Sequence, residues 1–169
     1  RRIVSPQGAA KVSGKIGGLN VGVLSAMDDP ATAPQGTGNP LFNIVRLRRD
    51  VGPGSNLGMV YTDRMQGSDY NRVIGVDSRQ RFGNRYVLSS QVAGSFSEIG
   101  GVRGDGRPLF DFTLQQTGRS SGFTAIVEGI HPDFTASSGF ISRAGVVRAV
   151  FQPRRTWYPR NSVFESISF

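Results

Sequence analysis

The sequence predicts an all-β fold, an antiparallel up-and-down meander. Three observations predict it. About ten stretches alternate apolar and polar residues, the period of a strand with one apolar face. Among 169 residues there are 23 glycines and nine prolines but only two lysines, and no window repeats apolar residues at helical spacing. The connections between stretches also alternate, short then long.

The first pair is the clearest. Ala10, Val12, Gly14 and Ile16 alternate with Lys11, Ser13 and Lys15. Gly17-Gly18 then supplies the positive φ angles of a primed hairpin turn. Leu19, Val21, Val23 and Met27 follow against Asn20, Gly22, Leu24 and Ala26. Beyond a long connection from Asp28 to Pro40, Leu41 to Arg49 sets Val45 and Leu47 against Arg46 and Arg48. After a short turn at Asp50 to Gly54, Leu57, Met59 and Tyr61 oppose Gly58, Thr62 and Arg64.

A longer connection is expected from Met65 to Tyr70. Ile74, Val76 and Phe82 then oppose Gly75, Asp77, Arg79 and Arg81. Across the Gly83-Asn84 turn, Tyr86, Leu88, Val92 and Phe96 oppose Ser89, Gln91, Ala93 and Ser95. A long loop is expected from Glu98 to Arg107. Phe110, Phe112 and Leu114 then oppose Asp111, Thr113 and Gln115, and, after Gly118 to Ser121, Phe123, Ala125 and Val127 oppose Thr124 and Glu128. A long loop follows, from Ile130 to Ser138. Shorter strands are expected near Phe140 to Arg143, Val146 to Gln152 and Ser162 to Phe169, about ten to eleven in all.

Period alone leaves two architectures open. In a soluble sandwich the apolar faces pack on each other. In a transmembrane β-barrel they meet lipid, and the polar faces meet a wet or plugged lumen. Three features favour the barrel, whole or in part. The strands run to about nine residues or more, above the soluble norm of about five to six. The apolar faces are interrupted by Gly14, Ser25, Ser90, Gly94, Ala125 and Ala149, which a filled core accepts poorly. Phe42, Tyr61, Phe82, Tyr86, Phe96, Phe123, Trp157 and Tyr158 fall near strand ends, as in an interfacial aromatic girdle. On this reading Lys11, Lys15, Arg46, Arg48, Arg64, Asp77, Arg79, Arg81, Asp111 and Glu128 line the lumen. The short turns face the periplasm and the long loops the exterior.

The net charge of +8 is carried almost wholly by arginine. Scattered arginines, with the aromatics on the opposite face, argue against nucleic-acid binding. The soluble alternative is a basic sandwich or barrel that binds polyanions, either nucleic acid or acidic glycan. Inward arginines could favour anions in a pore, or pair with Asp77, Asp111 and Glu128 in ladders that hold the interior together. There is no cysteine, hence no disulfide framework.

Catalytic and metal signals are weak. His131 is the only histidine and lacks an evident co-ligand. Asp28-Asp29 and Asp63 lack the order of a calcium loop. Gly100 to Gly106 lacks the Gly-Lys-Ser/Thr of a phosphate cradle, and its Arg103-Gly104-Asp105 triplet is close to chance. No enzyme activity, metal or cofactor is expected.

Several segments carry a resemblance. They are Lys11 to Ala26 (KVSGKIGGLNVGVLSA), Asn43 to Asp50 (NIVRLRRD), Ser55 to Arg64 (SNLGMVYTDR), Tyr70 to Phe82 (YNRVIGVDSRQRF) and Asp133 to Arg143 (DFTASSGFISR). In this order they resemble an uncharacterised C-terminal β-barrel domain of large outer-membrane proteins of Gram-negative bacteria. That domain commonly follows a family-nine carbohydrate-binding-like module. The resemblance implies residence in the bacterial outer membrane and a structural or pore role. It also implies that 1–169 is one segment of a longer barrel. Its partners would be outer-membrane lipid and the remaining strands or other chains.

Overall fold

The computed structural model describes residues 6–29, 38–139, 141, 143–159, 163 and 165–169. Ten strands form one sheet in chain order, every neighbouring pair antiparallel. They are β1 (Pro6–Ile16), β2 (Leu19–Asp28), β3 (Leu41–Gly52), β4 (Ser55–Gln66), β5 (Asp69–Phe82), β6 (Tyr86–Ile99), β7 (Val102–Thr117), β8 (Ser121–Ile130), β9 (Val146–Trp157) and β10 (Ile167–Ser168). No described residue is helical. Within the described residues β1 and β10 do not pair, so the sheet is open along that seam.

Two connections differ from expectation. Gly67 and Ser68 alone link β4 to β5, and Gly100 and Gly101 alone link β6 to β7. Ladder hydrogen bonds carry these hairpins on through Gln66↔Asp69 and Ile99↔Val102, where the apolar alternation has already faded. The β6–β7 hairpin absorbs a register shift between Ser95 and Ser97. Long connections remain at 29–40, 131–145 and 158–166.

The described residues form ten strands, within the expected ten to eleven. Ile141 and Arg143 are not in a strand, and Phe140 and Ser142 lie outside the described residues. Of the strand expected over 162–169, only Ile167–Ser168 pairs, against Trp157 and Thr156.

Paired residues of an antiparallel ladder share a face. One register row runs Gly14, Val21, Leu47, Met59, Val76, Val92, Phe110, Gly129, Val147. It lies on an apolar face. A second row runs Lys15, Asn20, Arg48, Gly58, Asp77, Gln91, Asp111, Glu128, Arg148 on the opposite, charged face.

Packing is one-sided. The buried hydrophobic residues are Val73, Ala93 and Phe134, with Leu109, Ile130, Ala136 and Ile141 against them. Val73 and Ala93 belong to the charged face by register, and Phe134 reaches them from the 131–139 segment. On the apolar face Val76 is 57% exposed and Phe151 64% exposed, and Ile74, Val92, Phe112 and Val127 are also exposed.

Candidate functional site

The charged face brings the expected interior residues onto one surface. Lys11, Lys15, Arg46, Arg48, Arg64, Asp77, Arg79, Arg81, Asp111 and Glu128 all fall on it by register. Two ion pairs organise them. Arg46 donates from both terminal nitrogens to the Asp77 carboxylate, Nη2 to Oδ1 at 2.9 Å and Nη1 to Oδ2. Arg148 donates from Nε to Glu128 Oε1 at 2.9 Å. Asp50 draws Lys15 at 3.8 Å and Arg48 at 3.9 Å. Asp111 lies beside Glu128 in register and has no ion pair among the described residues.

Gly58 sets the first pair. Arg48, Gly58 and Asp77 are consecutive in the ladder, and Arg46 reaches Asp77 diagonally over the glycine. A β-carbon at Gly58 would stand 2.7 Å from Arg46 Nη2 and 2.7 Å from both Asp77 carboxylate oxygens. The bidentate pair thus needs a glycine beneath it.

The 131–139 segment folds onto this same face. Its anchor is Asn71, only 1% exposed. The Asn71 amide donates to the Thr135 carbonyl at 3.1 Å and to Thr135 Oγ1 at 3.0 Å. Its oxygen accepts from the Ser137 amide at 2.7 Å. Ser95, also 1% exposed, donates its hydroxyl to the Thr135 carbonyl at 2.6 Å. The loop backbone thus gains partners that a strand would otherwise supply. Phe134 seals the contact on Val73 and Ala93. Arg107 holds the rim, donating to the Asp133 carbonyl at 3.1 Å.

Beside the loop lies an open cleft of about 460 Å3, lined by Gln91, Leu109, Asp111, Glu128, Arg143 and Arg148. His131 is exposed on the loop, and its Nδ1 accepts from the Asp133 amide at 3.2 Å. Asp63 donates nothing to a calcium cage with Asp28. It sits on the apolar-face parity and binds Arg72 Nε at 3.2 Å, whereas Asp28 sits on the opposite parity. No cluster of three metal-ligating side chains exists among the described residues.

The aromatic residues divide differently from expectation. Phe82 and Tyr86 stack at 5.6 Å across the β5–β6 turn, and Phe123 packs on Phe151 at 5.7 Å. All four lie on the apolar face at the end bearing the Gly17-Gly18 turn. Phe96 lies on that face near the opposite end, and Trp157 closes β9. Tyr158 follows β9, with Arg119 over its ring at 4.9 Å. Two residues depart. Phe42 pairs with Arg64 on the charged face, where that guanidinium lies 5.8 Å from its ring. Tyr61 is mid-strand in β4, not at an end.

Sequence reasoning missed Asn71, Ser95 and Thr135. Polar residues on a polar face carry no signal until the segment that binds them is placed. The class defined by fold and site is an antiparallel meander with one bare apolar face and one charged face carrying an inserted loop. No family model matches the chain, and no curated protein or solved structure shows a match to it.

Proposed function

We propose that this chain is part of an outer-membrane β-barrel with a structural or pore role and no catalysis of its own. The observation that carries the reading is the bare apolar face. Among the described residues, many of its large side chains are exposed, and the buried hydrophobic cluster lies on the charged face. A chain of this length in water would bury a core, and contiguous exposed apolar surface marks an interface or a membrane.

Dimensions support the same reading. On the apolar face of β5, Phe82 lies ten residues beyond Arg72. At ~3.3 Å per residue and a tilt of about 40°, this spans ~25 Å along the membrane normal, the height of a barrel's apolar band. The boundary is also oblique. The row holding Arg49 of β3 reaches Ala149 on β9, and the next outward charge there is Arg155. A flat slab crossing tilted strands has this slant in register.

The charged face would then line the interior, narrowed by the 131–139 segment. The resemblance to outer-membrane barrel domains agrees with this reading, as do lipid and further strands along the open seam as partners. The test is refolding of the purified chain into detergent and vesicles. Insertion with heat-modifiable gel mobility is the expected result. A monomer that is stable without detergent and binds no lipid overturns the reading.

A further inference from the structure

The two ends of the sheet carry opposite charge. At the end bearing the 17–18, 53–54, 83–85 and 118–120 turns, Lys15, Arg48 and Arg49 lie within four residues of the ends of β1 and β3. Arg79 and Arg81 end β5, Arg85 and Arg119 sit in turns, and Arg154 and Arg155 close β9. Against these nine cations stand Asp50 and Glu165, so nine minus two leaves +7 among the described residues. By the same measure, the other end has five arginines (Arg64, Arg72, Arg103, Arg143 and Arg148) against eight carboxylates from Asp28 to Asp133, and five minus eight is a balance of −3 among the described residues. Mid-strand charges nearly cancel.

The cationic end is also the end with the stacked Phe82–Tyr86 pair and the tilted Phe123–Phe151 pair. Arg119 covers Tyr158 there. Among the described residues, Arg49 and Arg155 on the apolar face and Arg85 in a turn have no carboxylate partner, unlike Arg72 and Arg103 at the far end, while Lys15, Arg48, Arg79, Arg81 and Arg154 add their charge to this end from the charged face. Unpaired guanidiniums at an end that also carries apolar-face aromatics match the chemistry of an anionic bilayer surface. There the rings enter the acyl boundary and the cations meet phosphate.

Resting on the membrane reading above, we propose that this end docks on the headgroups of anionic phospholipids, and that this contact fixes which way the barrel sits. Phospholipid is favoured over a deeper saccharide layer because these turns stand only two or three residues beyond the strands. Their guanidiniums reach the glycerophosphate plane and no further.

The test uses the full chain with vesicles of phosphatidylcholine alone or mixed with phosphatidylglycerol. Variants R85Q/R119Q and K11Q/R143Q each remove two positive charges, the second pair away from the cationic end. Wild type is expected to favour the anionic vesicles, with the preference shrinking as salt rises. R85Q/R119Q should lose about fivefold per arginine, and K11Q/R143Q almost nothing. Equal association with both vesicle types, or equal loss in both variants, overturns the proposal while insertion into phosphatidylcholine still upholds the barrel. Insertion into neither removes both. If R85Q/R119Q alters retention of an oligonucleotide and leaves vesicle binding unchanged, the occupant is nucleic acid and the proposal falls.

Discussion

Arg46 and Asp77 meet as a bidentate pair across Gly58, joining β3 to β5 over the intervening strand. The pair ties together strands that share no ladder, and its geometry exists only because β4 offers no side chain at that point. Gly58→Ala should force the two groups apart and lower stability by about 1–2 kcal/mol. Urea unfolding of refolded protein checks this, and an unchanged midpoint would remove the glycine's role. R46Q and D77N combined with each other should show coupling of about 0.5–1 kcal/mol, since both groups are partly solvated.

Asn71→Ala removes the side chain that binds Thr135 and Ser137. The Ser137 amide then loses its partner, while Ser95 still holds the Thr135 carbonyl. Hydrogen exchange at Ser137 is expected to rise at least about tenfold, with β5–β6 ladder amides unchanged. Uniform acceleration across the sheet would show that Asn71 supports the whole fold instead of clasping one loop.

Phe134→Ala empties the apolar contact on Val73 and Ala93. Because Phe134 is 5% exposed, the loss is expected near the low end of the range for a buried phenylalanine, about 3 kcal/mol. Limited proteolysis within 131–139 should become faster. Equal cleavage rates in wild type and variant would mean the ring does not hold the loop.

Val76→Arg separates water from lipid around the apolar face. In water an exposed valine tolerates the change, within about 0.5 kcal/mol. At a bilayer midplane it costs about 2–4 kcal/mol. Folding yield in vesicles should therefore fall sharply, whereas Asn84→Arg, in the β5–β6 turn, should matter little. Normal vesicle folding of Val76→Arg would count against lipid on this face.

Much of the meander was legible in sequence because period two survives wherever one face differs chemically from the other. Val45 and Leu47 against Arg46 and Arg48 placed β3 correctly, and the same parity puts Phe42 with the arginines, where it lies. Gly17 and Gly18, at φ 53° and 84°, turn as their sequence required. Alternation fails where strands run past the apolar band. Ser97 to Ile99 and Val102 to Gly104 pair through backbone groups, which every residue possesses, so the sequence there reads as loop. The inserted segment was illegible for a different reason. Its partners are short polar side chains, and their meeting depends on a fold that brings residue 71 to residue 135.

That meeting also orders events in time. Every strand pairs with the one made just before it, so the sheet can zip forward by closing short loops. The Asn71–Thr135 clasp instead spans 64 residues. Its parts converge only after β5 through β8 are in register, which makes it a late event and a natural reporter that assembly has reached completion.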